Sequence, residues 1–155
     1  MKGAKSEALF AAVDKYPTLC GLAGIPVPSH CVGRDFSPLM RGEKMEESEM
    51  VFLMNEVSPD AGKPGAGVGE NMEFVNQPSY RGVRTKTHTY AVAKTGRWLL
   101  FDNIADPYQL KNLVGDAAQK HLMEQFEAAI LEWMKKTGDY FPLKENTKRI
   151  SSFPS

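Results

Sequence analysis

The sequence predicts an α+β protein: a small antiparallel sheet of about four strands, packed by a C-terminal amphipathic helix, with a short N-terminal helix. Three observations carry this. Thr87 to Ala93 alternates, with His88, Tyr90 and Val92 on one face and Thr87, Thr89, Ala91 and Ala93 on the other, as a strand requires. Leu122, Phe126, Ile130 and Trp133 recur at spacings of four, four and three, the period of a helix face. Near the N-terminus, an Asp14 and Pro17 start signal is closed by Gly24 and then by Ile25-Pro26-Val27-Pro28.

The elements follow in chain order. Asp14 suits an N-cap, and Pro17 falls in the first turn, where a missing N–H matters little. The spacing predicts a helix from about Lys15 to Ala23 with Leu19, Leu22 and Ala23 as its apolar face and Gly24 as its C-cap. Pro26 and Pro28 remove donors and push their neighbours extended, so Ser29 to Glu49 reads as loop. Met50 to Val57 is apolar and fits a strand. Ser58 to Gly69 is dense in glycine and proline and reads as loop. Its Gly65-Ala66-Gly67-Val68-Gly69 lacks both the Lys-Ser/Thr of a P-loop and the strand–helix frame of a dinucleotide site.

Thr87 to Ala93, the turn Lys94-Thr95-Gly96 and Arg97 to Phe101 form a β-hairpin, with Tyr80 to Thr85 as third strand. Met50 to Val57 or Glu73-Phe74-Val75 supplies the fourth. The last helix opens at Asp116 with Gln119 behind it, and closes at Gly138 after Lys135 and Lys136, which suit the helix dipole. The tail from Lys144 to Ser155 is polar and aperiodic. The division expected is 1–49, a segment with the short helix and loop, and 50–155, the sheet and last helix.

Composition bounds the function only weakly. The 155 residues are 42% hydrophobic and 25% charged, enough for one core without disulfides. Lys plus Arg and Asp plus Glu stand at 19 each, so no net field points to nucleic acid or an anionic membrane. No stretch approaches the ~20 apolar residues of a membrane span, and no signal-peptide pattern opens the chain. Cys20 and Cys31 form neither CxxC nor zinc spacing; a disulfide and two free thiols both fit them.

Two segments resemble the sulfatase family. In the first, Asp14, then Pro17-Thr18-Leu19 and Leu22-Ala23-Gly24-Ile25-Pro26, stand in the family's order, continued by Gly33-Arg34-Asp35-Phe36-Ser37-Pro38-Leu39 and Arg41-Gly42. The second runs Tyr80-Arg81-Gly82-Val83-Arg84-Thr85, Tyr90, Leu100-Phe101-Asp102 and Asp106-Pro107-Tyr108-Gln109-Leu110-Lys111-Asn112-Leu113. Together they resemble the C-terminal portion of sulfatases, from about Val13 to Asp139. The residues themselves read as turn and capping chemistry: Asp106-Pro107 starts a turn, while Asn112 and Asp102 hold backbone with their side chains.

What the resemblance implies lies mostly outside this chain. A sulfatase uses a formylglycine made inside a Cys/Ser-x-Pro-x-Arg motif, and calcium held by Asp and Asn. Cys20 precedes Gly21-Leu22, Cys31 precedes Val32-Gly33, and neither Ser29-His30 nor Ser37-Pro38 completes the motif. No catalytic residue and no metal ligand is therefore assigned here. Asp102-Asn103 is like the family's metal pair in type, but its place after a strand matches the C-terminal subdomain. His30, His88 and His121 share no ligand spacing. His88, Arg81, Arg84 and Lys86 are the candidate substrate contacts, the cations because guanidinium and ammonium groups suit a sugar sulfate.

The leading expectation is the C-terminal part of a sulfatase, inactive by itself, with an N-terminal sulfatase domain as its missing partner and a sulfated small molecule or glycan as substrate. Uncovered apolar surface then predicts self-association. Full-length relatives are often secreted or periplasmic. The alternative is a stand-alone, non-catalytic binding or partner module derived from a sulfatase. A phosphodiesterase or phosphatase of the wider alkaline-phosphatase-like group is less favoured by the Asp106 to Leu113 signature.

Overall fold

The computed structural model describes residues 5–57 and 78–143, in two compact units, Met1–Val51 and Phe52–Ser155. The expected loop at 58–69, the alternative strand at 73–75 and the polar tail lie outside the described residues.

In the first unit a 3-10 turn, Ala12–Asp14, runs directly into helix α1, Lys15–Ala23, and a one-turn helix α2 covers Ser37–Met40. Gly24 ends α1 in the left-handed conformation (φ 68°), as expected. Asp14 does not cap α1 with its side chain. Its carboxylate instead reaches back to the N–H of Ala11 (2.7 Å) and across to the N–H of Arg34 (2.8 Å). The Thr18 hydroxyl donates to the Asp14 carbonyl (2.6 Å) and accepts from the Phe36 N–H (3.0 Å). Asp14 and Thr18 thus clip the returning segment onto the start of α1. That segment passes so close that a Cβ on Gly33 would lie 2.0 Å from the Val13 carbonyl oxygen, leaving room only for glycine.

Two further expectations for this unit change. A helical turn, α2, stands inside the segment read as loop, with Pro38 in its first turn, where proline is tolerated. The inner side of α1 is Pro17, Thr18 and Cys20, whereas Leu19 and Leu22 are 64% and 48% exposed. The clip explains the reversal, because Thr18 must face inward to reach Asp14 and Phe36. Cys20 and Cys31 are both free thiols.

The second unit is an antiparallel sheet in the order β1-β2-β3-β4, with β1 Met50–Asn55, β2 Tyr80–Thr85, β3 His88–Ala93 and β4 Gly96–Asp102. Strand β1 begins at the end of the first unit and takes the fourth place. The β3–β4 turn is two residues, Lys94-Thr95, closed by the pair Ala93↔Gly96. Ala91 faces Leu99 while Val92 faces Arg97, so Trp98 is an extra residue and β4 carries a bulge.

Helix α3, Lys120–Thr137, follows a 3-10 turn that Asp116 caps by accepting from the Ala118 N–H (2.9 Å). Gly138 ends it with φ 66°. Its buried line is Met123, Phe126, Ile130 and Met134; Leu122 and Trp133 flank that line half-buried. The stripe is the expected one turned by about one residue. Phe126 meets the rings of Tyr90 (5.8 Å) and His88 (6.2 Å), and Trp133 stacks on Phe52 (5.0 Å), which fixes α3 on the His88/Tyr90/Val92 face. Val83, Tyr90, Leu100 and Ile130 are fully buried between these elements.

Two ion-pair groups tie α3 to the sheet. Glu127 accepts from the Tyr90 hydroxyl (2.6 Å) and from Arg97 (2.7 and 3.0 Å). Burial alone would push its carboxyl up, but the Arg97 and Tyr90 donors outweigh that and hold it below the ordinary range. Arg81 binds Asp139, just past α3, through two nitrogens (2.5 and 3.1 Å), with its guanidinium 4.3 Å from the Phe141 ring centre.

Candidate functional site

The four sequence candidates are not brought to one place. Antiparallel pairing puts Arg81 opposite Val92, on the α3 face. It is 5% exposed, and Asp139, Glu56 and the carbonyls of Asn55 and Tyr80 take its donors. His88 is half-buried on that same face at the other end of the strands, with Nδ1 2.9 Å from the Thr87 hydroxyl. Lys86 is exposed in the β2–β3 turn. Arg84 pairs with Thr89, on the face away from α3.

Around Arg84 the fold assembles a group that sequence reasoning did not single out. Arg84 Nη1 donates to Thr89 Oγ1 (3.0 Å), and Thr89 Oγ1 donates to Asn103 Oδ1 (3.0 Å). Gln109 Nε2 donates to both Thr89 Oγ1 (3.0 Å) and Asn103 Oδ1 (2.8 Å). Gln109 is left-handed (φ 56°), the one non-glycine residue with positive φ among those described. Asn103 Nδ2 is the one buried side-chain polar atom without a partner among the described residues.

The loop that carries Asn103 and Gln109 is held by its own carboxylates and amides. Asp102 Oδ1 accepts from the N–H groups of Ala105 and Ile104 (both 2.9 Å), which hold its carboxyl below the ordinary range. Asp106 accepts from the Lys111 N–H (2.7 Å). Asn112 accepts from the Leu100 N–H (3.0 Å) and donates to the Trp98 carbonyl (2.9 Å), satisfying the open edge of β4 at its bulge. Asp102, Asp106 and Asn112 therefore have the turn-holding roles that the sequence chemistry implies. The loop displays Ile104, Tyr108 and Leu110 at 70%, 84% and 85% exposure.

Neither group that a sulfatase needs for hydrolysis fits these residues. Among the described residues no three His, Cys, Asp or Glu side chains are placed to hold a metal ion. Cys20 is buried beside Gly21 and Cys31 lies beside Val32, neither in a formylglycine motif. No described helix is long and apolar enough to cross a membrane.

No family model matches the chain. It is 33% identical over 144 residues to the ulvan-active sulfatase of Formosa agariphila, an alignment covering 93% of this chain and 26% of that protein. The endo-4-O-sulfatase of Bacteroides thetaiotaomicron is 32% identical over 141 residues, covering 86% of this chain and 27% of that one. Among solved structures, a 2-O GAG sulfatase matches with TM-score 0.62 and 26% identity over 79% of this chain and 24% of its own. The phosphonate monoester hydrolase of Agrobacterium radiobacter shares the fold, with TM-score 0.64 at 22% identity over 86% of this chain and 26% of its own. The chain spans about a quarter of the length of the curated relatives it matches, and corresponds to their C-terminal part.

Proposed function

The chain belongs to the sulfatase family, and from that premise we propose that it forms the scaffold and one wall of the substrate cleft of a sulfatase, with a larger preceding domain as its partner. The observation that carries this reading is the outward apolar side of α1. Tyr16, Leu19 and Leu22 are 56%, 64% and 48% exposed, although their spacing marks one side of a helix. A helix that turns its polar Thr18 inward and its leucines outward is suited to lie between this unit and a further layer of protein. Relatives about four times the length of this chain have the further sequence that such a layer requires.

Sulfatase relatives imply a metal and a formylglycine in the full-length enzyme. We assign both, the metal as calcium, to the larger domain. There they supply the nucleophile and the charge acceptance that sulfate-ester cleavage needs. No step of hydrolysis is placed on this chain, and the 1–49 segment is assigned to the end of the main domain. Arg84, Lys86 and His88, at the β2–β3 end of the sheet, are assigned to the substrate side of the cleft, and Arg81 to the scaffold. The relatives named for ulvan, 4-O and 2-O GAG activity favour a sulfated glycan as substrate.

The test is a chimera in which this chain replaces the matching quarter of the ulvan-active sulfatase. Sulfated-glycan hydrolysis should survive with a changed preference among glycans, and Arg84→Ala or Lys86→Ala should lower kcat/KM several-fold. Aryl sulfate turnover by the isolated 155-residue chain would overturn the reading.

A further inference from the structure

We propose that Cys20 and Cys31 are a dithiol pair that closes to an intramolecular disulfide in the presence of a disulfide oxidant, joining the segment that returns from α1 covalently to the helix. Both residues lie in the first unit, and their pairing does not depend on the cleft-wall reading.

The backbone brings the two segments together. Cys20 is buried on the inner side of α1, and its carbonyl accepts from the Ile25 N–H (2.9 Å), so the chain reverses immediately after it. A second reversal follows, in which the Cys31 N–H donates to the Pro28 carbonyl (3.0 Å). Two residues later Gly33 packs on the Val13 carbonyl, and the Arg34 N–H bonds the Asp14 carboxylate. Residues 25–33 therefore run back along α1 from its last turn to its first, over the ~13 Å that its nine residues rise. Two residues of chain tether Cys31 within ~7 Å of Gly33, beside the half of the helix that carries Tyr16. Tyr16 and Cys20 are neighbours one turn apart. The Tyr16 hydroxyl stands against the Cys20 thiol and within electrostatic reach of the Cys31 thiol; Cys20 foremost pushes the phenol above its ordinary range. The two thiols thus have one neighbour in common.

Their unequal access orders the exchange. Cys31 is half-buried and Cys20 buried. The Cys31 thiolate attacks one sulfur of the oxidant's disulfide, which leaves a mixed disulfide and releases one thiol. Cys20 then attacks the Cys31 sulfur and displaces the second thiol. The two cysteine protons end on the two departing thiols, and the oxidant's disulfide is reduced as the protein's own forms. A disulfide needs Cα atoms about 4.4–6.8 Å apart. Two features let the pair reach that distance. The connection 24–30 is exposed at every residue except Pro28, and Tyr16, itself exposed, is able to turn outward. Asp14, Thr18 and Gly33 hold the clip meanwhile. The bond then removes conformations from the unfolded chain and stabilises the first unit.

The test uses the full 155-residue chain in glutathione redox buffers. Trypsin releases both cysteines in one fragment, 16–34, because no lysine or arginine lies between them. After alkylation of free thiols, the oxidised chain should yield that fragment unalkylated and lighter than the dithiol by two hydrogen atoms. The equilibrium constant against glutathione should be higher by about tenfold or more in the folded chain than in urea, where the residues are as close in sequence but nothing holds them together. Oxidation should also raise the melting temperature by several degrees, reversibly with dithiothreitol. Cys20→Ser should stop at a glutathione adduct on Cys31, and Cys31→Ser should take up glutathione much more slowly. Tyr16→Ala should speed closure.

An equilibrium constant no higher in the folded chain than in urea overturns the proposal. So does a fragment linked to a second copy of itself rather than closed, or a glutathione adduct on Cys31 of the parent chain that never passes to Cys20. The comparison of folded and urea-unfolded states uses the parent chain throughout, and decides the matter even where a cysteine variant fails to fold.

Discussion

Arg81 lies over the ring of Phe141 and presents two nitrogens to Asp139, and this arrangement sets how the sheet unit responds to acid. The Arg81 hydrogen bonds and charge hold the Asp139 carboxyl below the usual carboxylate range. A depressed carboxyl contributes stability that is fully present above its unfolded pKa, about 3.9. That contribution is lost as the pH falls through the lower folded value. The side chains are 5% and 16% exposed, and without Asp139 the guanidinium keeps only the longer contact to the exposed Glu56 (3.3 Å) and the carbonyls of Asn55 and Tyr80. Asp139→Asn should then destabilise by about 1–3 kcal/mol at pH 7. It should also flatten the loss of stability between pH 5 and pH 2 relative to the parent chain, as read by denaturant titration at each pH. A parallel acid limb in both chains would show that Asp139 is not the group responsible.

Gln109 permits a cleaner separation of backbone from side chain. Gln109→Ala and Gln109→Gly both delete the carboxamide that bonds Thr89 and Asn103, and differ in how they tolerate φ 56°. Alanine keeps the left-handed penalty, about 1–2 kcal/mol, and glycine loses it. Gln109→Gly should therefore be the more stable of the two by about 1 kcal/mol, although both fall below the parent. Equal stabilities in thermal melts would mean the loop relaxes to negative φ once the carboxamide is gone. This residue was not legible in the sequence, because left-handed backbone is foreshadowed by Gly, Asn or Asp and glutamine carries no such signal. The hub at Thr89 was hidden too, since it depends on segments fourteen and twenty positions away meeting at one oxygen.

At the scale of elements, α3 and the hairpin were legible because α3 and β3 each have an unbroken period and the ends are unambiguous: Asp116 and Gly138 for one, the short Lys94-Thr95 turn for the other. The phase of α3 was less so. Leu122 is the more hydrophobic choice, but the helix buries Met123, at 2% exposure, in line with Phe126, Ile130 and Met134. Met123→Ala should cost about 2–5 kcal/mol and Leu122→Ala clearly less, in paired chemical denaturation. The reverse order would restore the face expected from spacing alone. Helix α1 fails differently, since its inward side is chosen by the Thr18 and Asp14 hydrogen bonds to the Arg34–Phe36 segment, a tertiary demand that periodicity does not encode. Pro-Thr-Leu and Gly-Arg-Asp-Phe are thereby two halves of one clip, which gives a physical reason for their joint appearance in the first family-like segment.

For the whole molecule, the exposed face of α1 has a consequence in solution. Leu19 and Leu22, with Val13, Tyr16 and Ile25 at 56%, 56% and 58% exposure, leave apolar side chains of the first unit uncovered. Burying a leucine removes about 1.5–3 kcal/mol of unfavourable exposure. Leu19 and Leu22 are only partly exposed, so two leucines from each copy contribute about 3–7 kcal/mol, comparable to the low end of the cost of association, and weak association needs the neighbouring Val13, Tyr16 and Ile25 as well. The purified chain should shift to larger species with rising concentration in sedimentation velocity, and should bind an apolar dye. Leu19→Lys together with Leu22→Glu removes the leucines without touching Pro17, Thr18 or Cys20. The double variant should raise the dissociation constant by about a hundredfold, since each 1.4 kcal/mol is a factor of ten, and should leave the melting temperature within a few degrees. In the chimera the same double substitution should have the opposite weight, lowering the yield of folded enzyme because that face is then meant to be covered. A chain that stays monomeric across the concentration range, with a chimera indifferent to both substitutions, would mean that α1 faces solvent in the working protein as well.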